Sequence, residues 1–337
     1  MARLLSPGRL LGVGLLLLGA VVLVLWLAPS NQYIFLPDRA RAVEPLVTVR
    51  GERPERDGGG IYFVDVIVRK ATLLERLIPG LRDGATLLPA KAVNPPGTND
   101  AQRRELDLRE MALSQQIAAA VALKALGYNV VARPTGALVS TVVPHAPAAG
   151  RLQPTDVIVA VDGKPVRTPA ELRARIRAHR AGERVQLTVR SSKGVRAETL
   201  RTAADGEVPP RPVIGVIVGQ AAQIKLPVPV RIDARGVGGP SAGLAFALDL
   251  MEELGRDVDR GYRVAATGEI ELDGSVGPIG GVKQKTIGAR KTKVDVFLVP
   301  AGDNAREARR YADGLRIVPV QSFRQALRAL ATLPPKT

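Results

Sequence analysis

A serine with the surroundings of a nucleophile lies in the segment GVGGPSAGL at residues 236–244. Pro240 suits the first position of a helix, where its missing N–H costs nothing, and apolar residues then recur at helical spacing until Gly255. Unpaired backbone N–H groups and the positive end of the helix dipole meet at such a start, where they could stabilise an oxyanion. The pattern marks Ser241 as a candidate nucleophile, and glycines such as Gly239 leave room for a substrate backbone.

Two other interpretations of this segment remain open on its residues alone. The Gly-Pro-Ser turn could simply cap a core helix, which would give it a purely structural role. It could also bind phosphate, although it lacks the Gly-Lys-Ser/Thr ending that phosphate-binding loops carry.

The base that a serine nucleophile needs is restricted by the composition. The chain has no cysteine and two histidines, His145 and His179, which both fall in a segment that reads as a separate module. A Ser-His-Asp triad would have to use one of those two histidines. The remaining common base is a lysine whose pKa is lowered by burial or by a positive potential.

A candidate lysine lies in GGVKQK at residues 280–285, which opens a second predicted helix. On that helix Lys285 shares a face with small and apolar residues at spacings of three and four, whereas Lys283 shares one with Arg290. Lys285 is therefore the lysine predicted to be buried. The alternative is a solvated surface charge, the usual state of a lysine in a chain with 48 lysines and arginines.

Three short motifs resemble, in order and spacing, the proteolytic domain of the Lon proteases. They are GPSAG at Gly239–Gly243, TGEI at Thr267–Ile270 and PIGGVKQK at Pro278–Lys285. The resemblance extends over roughly residues 215–319 of the chain. It implies a Ser-Lys dyad that hydrolyses peptide bonds without a metal or another cofactor.

The resemblance also assigns roles to individual residues. Ser241 matches the nucleophile, Lys285 matches the general base, and Thr267 matches a hydroxyl that positions the lysine amine. Gly239 and Pro240 are expected to support the serine. Relatives of this family suggest a ring, with six subunits as the expected number.

One departure from the ATP-dependent Lon pattern narrows the expectation. Those proteins usually carry an acidic residue two positions before the Pro-Ser pair, where this chain has Gly238. The Gly-Gly-Pro-Ser form instead resembles membrane-anchored, PDZ-containing Lon-like proteases that have no ATPase module. We therefore expect an ATP-independent serine endopeptidase acting on protein or peptide substrates. The alternative from another class is a non-catalytic envelope scaffold that binds peptide C-termini.

A second resemblance concerns residues 131–203, where the predicted order is strand, turn, strand, helix, strand. The segments DVI at 156–158 and DGKP at 162–165 resemble a PDZ domain of bacterial envelope proteases. Such domains add a peptide C-terminus as an extra strand and bind its carboxylate with backbone N–H groups. The residues predicted to do so are Thr135, Gly136, Ala137 and Leu138. Alternatively, the module only packs against the protease domain.

An apolar run from Leu10 to Leu27 follows Arg3 and Arg9 and is long enough to span a bilayer. The positive flank predicts a cytoplasmic N-terminus and a catalytic domain outside the cell. A cleaved signal peptide is the alternative, but cleavage after Ala28 would place a tryptophan where a small residue belongs. A single-pass membrane anchor is therefore expected.

The composition fits these expectations. The chain has 337 residues, of which 46% are apolar, and a formal net charge of +16. No zinc-finger spacing or aromatic RNA-binding signature accompanies this charge, so an anionic membrane surface is a better partner for it than nucleic acid.

The predicted fold class is α+β multi-domain, with a transmembrane helix, a PDZ domain and a Lon-type α/β proteolytic domain. Residues 61–68 are expected to form one strand, and Leu106–Leu126 one long helix. The predicted divisions are a cytoplasmic N-terminus (1–9), anchor (10–28), linker and α/β region (29–130), PDZ domain (131–204), linker (205–212) and proteolytic domain (213–333).

Overall fold

A computed structural model of the chain describes residues 7–49, 58–94, 100–191, 193–206, 209–334 and 336. Its helices are α1 (Pro7–Leu27), α2 (Leu73–Leu77), α3 (Ala90–Val93), α4 (Asp100–Ala125), α5 (Pro169–Arg177), α6 (Gly243–Glu253), α7 (Val282–Lys291), α8 (Asp303–Arg310) and α9 (Phe323–Ala331). Single 3-10 turns occur at Glu44–Leu46, Pro79–Leu81 and Pro240–Ala242.

The strands of the first half are β1 (Pro29–Pro37), β2 (Arg41–Ala42), β3 (Val47–Val49), β4 (Gly60–Phe63), β5 (Val66–Thr72), β6 (Thr86–Pro89), β7 (Val131–Val142), β8 (Val157–Val161) and β9 (Lys164–Pro165). Those that follow are β10 (Arg184–Ser191), β11 (Gly194–Arg201), β12 (Ala203–Ala204), β13 (Pro212–Val213), β14 (Val216–Lys225), β15 (Val230–Ile232), β16 (Arg263–Ala266), β17 (Glu269–Ile270), β18 (Val276–Gly277), β19 (Val296–Pro300) and β20 (Arg316–Val320).

The sheet that carries the serine and lysine motifs has the strand order β2-β4-β16-β19-β20. Strands β4, β16, β19 and β20 run parallel. Side chains alternate across it, because Val264 and Ala266 join the core with α4, α6 and α9, whereas Ala265 joins the core with α7 and α8. The sheet is therefore the middle of three layers, and its parallel strands end at one edge.

A second sheet has the order β11-β10-β8-β7-β14, with β9 paired to β8. The helix α5 covers it, and a core that includes Leu172 and Ile176 of α5 fills the space between them. Helix α5 begins at Thr168, whose side chain accepts a hydrogen bond from the backbone N–H of Glu171 at 3.1 Å. The last strand, β14, comes from far along the chain and continues toward Ser241.

The third sheet, β5-β1-β6, lies where α1 ends. Strand β1 starts two residues after the last residue of α1, and the backbone N–H of Leu73 donates to Ala28 O at 2.9 Å. Its helix α2 has a capping box, in which Thr72 and Glu75 satisfy each other's backbone N–H groups. This small sheet joins α1 to the layer that contains α7.

Several predictions about individual elements need adjustment. The strand expected over residues 61–68 is two strands, β4 and β5, because the chain leaves the parallel sheet after Phe63 and joins the β1 sheet at Val66. The long helix expected from Leu106 begins earlier, at Asp100. The segment expected to be a linker and an N-terminal α/β region, residues 29–130, also contributes β2 and β4 to the parallel sheet.

Candidate active site

The turn before Ser241 is built by glycine and proline. Gly239 has φ of +84°, a left-handed conformation that suits glycine, and Pro240 then opens the 3-10 turn that leads into α6. A Cβ on Gly239 would meet nothing within 4 Å, so the space beside the serine is open. Helix α6, which follows Ser241, is buried along its whole length and so fixes the position of the serine at its N-terminus.

Lys285 lies in the first turns of α7, which Gly281 precedes in a left-handed conformation. Close packing sets the depth of this helix, since a Cβ on Gly288 would lie 1.8 Å from Asp38 O. The Lys285 side chain is 3% exposed, and its Nζ lies 2.6 Å from Ser241 Oγ. The structure thus brings together the serine and lysine that the two motifs supplied.

Thr267 is the third member of this group and follows the end of β16. Its Oγ1 donates to Ser241 O at 3.0 Å and accepts from Lys285 Nζ at 3.1 Å. Because the threonine hydroxyl has one hydrogen, a bond to the Ser241 carbonyl leaves it an acceptor toward the lysine. A neutral lysine amine that donates to Thr267 then has its lone pair available for the serine hydroxyl.

The electrostatic environment favours that neutral amine. Burial lowers the pKa of Lys285 to about 8, against the smaller opposing effect of the Asp65 carboxylate. Asp65 follows β4 and forms an ion pair with Arg41. Burial in turn raises the pKa of Asp65. The site can therefore present a substantial fraction of unprotonated lysine near pH 8.

If the unprotonated Lys285 amine is the active form, as the family resemblance implies, the hydrolysis rate should increase with pH. We expect log(kcat/KM) to rise with a slope of about one below pH 8 and to level off above it. Burial also raises the pKa of nearby Glu269 to about 7, with Glu271 and Glu110 adding to the rise. A Glu269→Gln variant is therefore measured beside the wild type, to separate the titration of Glu269 from that of Lys285. A hydrolysis rate that is independent of pH between 6 and 9 in both the wild type and this variant would contradict the assignment of Lys285 as the base.

Thr267→Val should lower kcat by about 10- to 100-fold, the effect of losing one or two hydrogen bonds that position the base. Thr267→Ser keeps the hydroxyl and should restore most of the rate. Both variants are compared by kcat, KM and the apparent pKa of the pH profile, with circular dichroism to check folding. Equal losses in the valine and serine variants would indicate a packing role for Thr267 instead.

The other lysine of the motif, Lys283, points elsewhere. Its Nζ donates to Ala85 O at 3.0 Å, and the same amine lies 5.6 Å from the centre of the Tyr311 ring. It ties α7 to the chain before β6 and does not contact the serine. This arrangement follows from the helical spacing that separated the two lysines in the sequence.

Two supporting residues come from α4 and carry no local signal in the sequence. Ser114 Oγ donates to Pro240 O at 2.9 Å, and Asp107 O accepts from the Gly239 N–H at 2.7 Å. A Cβ on Gly238 would lie 2.6 Å from Asp107 Cβ, so α4 leaves no room there for a side chain. An acidic side chain at position 238 would therefore collide with α4 in this structure.

The predicted peptide-binding residues require a correction. Thr135, Gly136, Ala137 and Leu138 lie inside β7. Ala137 and Leu138 are paired with β14 on one side and with β8 on the other. A peptide cannot add as a strand there, because both edges are occupied. Among the described residues the edge strand on this side is β14, whose position in the sheet depends on pairing across about 80 residues of sequence.

A groove of about 750 Å³ lies between α5 and the start of β14. Leu172 and Ile176 line it from the helix, and residues 214–218 line it from the start of β14 and the two residues before it. Gly215 in that segment has φ of +75°, and a Cβ there would lie 2.1 Å from Ala146 Cβ. Among the residues that the structure describes, no strand pairs with the outer edge of β14, so the groove joins a free strand edge to an apolar helix face. Peptide addition requires these two features.

Both histidines belong to the PDZ-type sheet and its loops. His179 Nε2 lies 2.8 Å from Asp162 Oδ2, and His145 lines the groove beside α5. Neither has a contact with Ser241 among the described residues, which agrees with the use of a lysine at the serine site.

Fold and site together describe a mixed α/β domain with a serine–lysine pair, joined to a PDZ-type sheet. Residues 220–332 match the Lon protease (S16) C-terminal proteolytic domain, and residues 124–200 match the PDZ domain. The chain thus contains a Lon-type proteolytic domain and a PDZ domain, together with an N-terminal apolar helix. The predictions of these domain types and of the fold class are confirmed.

Relatives of the proteolytic segment are Lon proteases. Lon protease 2 of Bacillus subtilis is 33% identical over 99 residues, which are 29% of this chain and 18% of that protein. The Lon protease of Chloroflexus aggregans is 38% identical over 101 residues, 28% of this chain and 12% of that protein. The chain therefore spans less than a fifth of the length of these curated relatives.

Among solved structures, the crystallised PDZ domain of the SdrC-like protein from Listeria monocytogenes is 23% identical and has a TM-score of 0.24. That match covers 25% of this chain and 87% of the Listeria domain. A solution structure from Geobacillus thermodenitrificans is 33% identical, covers 22% of this chain and 84% of its own, and has a TM-score of 0.21.

Proposed function

We propose that this protein is an ATP-independent serine endopeptidase that uses a Ser241–Lys285 dyad. The observation that carries the proposal is the distance of 2.6 Å between Lys285 Nζ and Ser241 Oγ, with the amine buried. Burial lowers the lysine pKa, and the match to a proteolytic domain supplies the reaction class. Protein and peptide chains are therefore the substrates.

In the proposed reaction, Lys285 Nζ accepts the hydroxyl proton as Ser241 Oγ bonds to the scissile carbonyl carbon. The carbonyl electron pair moves to oxygen, and backbone N–H groups at the mouth of α6 stabilise the resulting oxyanion. Collapse breaks the C–N bond, and the lysine ammonium returns its proton to the leaving amine. Water then attacks the acyl-enzyme carbonyl carbon as Lys285 Nζ accepts its proton. Collapse breaks the ester bond between that carbon and Ser241 Oγ, and the lysine ammonium returns the proton to Ser241 Oγ, while Thr267 holds the amine in place.

Independence from ATP is proposed from the Gly-Gly-Pro-Ser form at residues 238–241, which resembles that of Lon-like proteases without an ATPase module. Such an enzyme would cleave unfolded or locally exposed segments. The test is casein hydrolysis by the purified full chain with and without ATP and Mg²⁺. We expect equal hydrolysis rates with and without ATP, and strict dependence on ATP would contradict this part of the proposal.

The groove between α5 and β14 is proposed to bind a peptide C-terminus as an additional strand beside β14. Ile217 on β14 is 56% exposed and lines the groove, whereas Val195 is 66% exposed on the β11 hairpin, outside the lining. Ile217→Asp should weaken binding of a fluorescent peptide at least about tenfold, because a charge replaces an apolar contact. Val195→Asp is the matched control. Fluorescence anisotropy measures the affinity of the wild type and both variants for a peptide with a free C-terminus and for the same peptide with an amidated one. If all three proteins bind both peptides with equal affinity, the groove is not the peptide site.

The anchor and the location are supported by one helix among the described residues that is long and apolar enough to cross a membrane, Leu10–Leu27. A signal sequence near an N-terminus passes the same test. We propose an uncleaved anchor with the catalytic domain outside the cell. Protease added to intact spheroplasts should degrade the catalytic domain, and full protection would show that the orientation is the opposite one.

A homo-hexameric ring is proposed from family resemblance, and sedimentation of the detergent-solubilised chain tests it.

A further inference from the structure

A small apolar surface lies beside the end of the apolar helix α1. The segment Leu77–Leu81, here called the tip, runs from the last residue of α2 through a 3-10 turn. Its large side chains are exposed: Leu77 by 65%, Ile78 by 50% and Leu81 by 38%. Consecutive exposed apolar residues at a tight turn are unusual on a surface that faces only water.

The position of the tip is fixed relative to α1. The N–H of Leu73 donates to Ala28 O, one residue past the end of α1. The Arg82 guanidinium carbon lies 5.5 Å from the centre of the Trp26 ring, in the last turn of α1. The tip therefore lies at the level where α1 ends, because the residues before it and after it both contact the end of α1.

If α1 spans a bilayer, that level coincides with the bilayer boundary. The 21 residues of α1 rise about 31 Å at 1.5 Å per residue, close to the hydrocarbon thickness of about 30 Å. Trp26 at its end is the only tryptophan in the chain and is of the type enriched at membrane–water boundaries. Side chains attached beside Ala28 would meet the headgroup region.

The charges around the tip suit an anionic lipid surface. Arg69, Arg76 and Arg82 surround it, and the one carboxylate at its base, Glu75, is 3% exposed and accepts from Arg69 at 2.6 Å and Arg82 at 3.2 Å. The neighbouring Asp83 is paired with Lys291 at 3.5 Å. The balance of three arginines against one buried glutamate leaves net positive charge beside apolar side chains, the pattern of interfacial membrane contacts.

We propose that the tip is a second membrane contact, in which Leu77, Ile78 and Leu81 enter the headgroup region of the bilayer that holds α1. The inference rests on the proposed anchor. Two points of attachment, α1 and the tip, would fix the tilt of the β5-β1-β6 sheet on the membrane. The same sheet contacts α7, because Gln284 Nε2 donates to Thr86 Oγ1 of β6 at 2.8 Å. The lysine of the active site would thus be held at a set orientation to the lipid surface.

The absence of cysteine from the sequence permits single-cysteine probes in the full chain. Leu77→Cys reports the tip, Leu18→Cys reports α1, and Val195→Cys reports an exposed apolar site on the PDZ hairpin; their side chains are 65%, 60% and 66% exposed. Each carries an environment-sensitive fluorophore, in nanodiscs that hold one chain and contain phosphatidylglycerol. Lipids with a doxyl quencher at a shallow or deep position measure depth.

We expect shallow doxyl lipid to quench the Leu77 probe at least about twofold more than the Val195 probe, and deep doxyl lipid to quench the Leu18 probe. Quenching of Leu18 with a Leu77 probe that behaves like Val195 would overturn the membrane contact and leave the anchor standing. No quenching at Leu18 would overturn the anchor and the tip contact with it. If the Leu77 probe enters an apolar environment only when a nanodisc holds two chains, the tip contacts a second copy of the chain, and the proposal is wrong.

Discussion

Lys285→Arg is expected to lower peptide hydrolysis by about 10²- to 10⁴-fold, the usual contribution of a general base, or more. Arginine stays protonated at every accessible pH and its guanidinium has no lone pair to accept the serine proton. The side chain would also bring a permanent charge to a position that is 3% exposed. The measurement is kcat/KM on a fluorogenic peptide between pH 6 and 10.

Lys283→Arg is the matched control for this change. It alters the same helix two residues away, where the amine donates to Ala85 O and does not contact Ser241. Its effect should stay within about twofold, as for a surface substitution. Circular dichroism and thermal melting of both variants separate loss of chemistry from loss of fold. An active Lys285→Arg enzyme, or a folded but inactive Lys283→Arg enzyme, would show that the base has been assigned to the wrong lysine.

Ser241→Ala should abolish measurable hydrolysis, with a loss of up to about 10⁶-fold in kcat, because no nucleophile remains. The fold should survive, since Ser241 Oγ contacts the lysine amine while its carbonyl, which bonds to Thr267, is retained. The rate is measured on casein and on a fluorogenic peptide. Ser241→Cys is the companion variant, and its adduct with a thiol reagent would locate the accessible nucleophile position by mass spectrometry.

The same alanine variant separates an enzyme from a scaffold in the cell. We expect substrate proteins to accumulate in the envelope proteome of a strain that carries Ser241→Ala at normal abundance. Unchanged protein levels together with full complementation of a deletion would favour the scaffold instead. This comparison would also identify the substrates.

The parts of the site that the sequence predicted are those encoded over short distances. The 3-10 turn at Ser241 follows from Gly239 and Pro240, and the choice of Lys285 over Lys283 follows from the period of one helix. The catalytic roles stay predictions, but the proximity of Ser241 to Lys285 could be inferred because two motifs of one resemblance supplied them. Ser114 could not be found in this way, because its contact with Pro240 joins residues 126 positions apart.

Long-range strand pairing explains why the predicted peptide-binding residues of the PDZ domain, at positions 135–138, were wrong. The local pattern identifies β7 as a strand, yet it does not reveal that Gly219 pairs with Leu138 and closes that edge. Likewise, nothing near Ile61 indicates a parallel partner at Val264. Hydrophobic periodicity determines which face of a strand is buried, but the neighbour of a strand depends on the whole fold.

The pairing of β4 with β16 affects the order in which the active site is assembled during synthesis. Gly60 pairs in register with Arg263, so β4 must wait for about 200 more residues, roughly 10–40 s at 5–20 residues per second. Ser241 is made before this partner strand, and Thr267 and Lys285 are made after it begins. An unfinished chain therefore carries Ser241 without Lys285. If these two residues form the proposed dyad, the nascent chain should hydrolyse no peptide bond until the central sheet has formed.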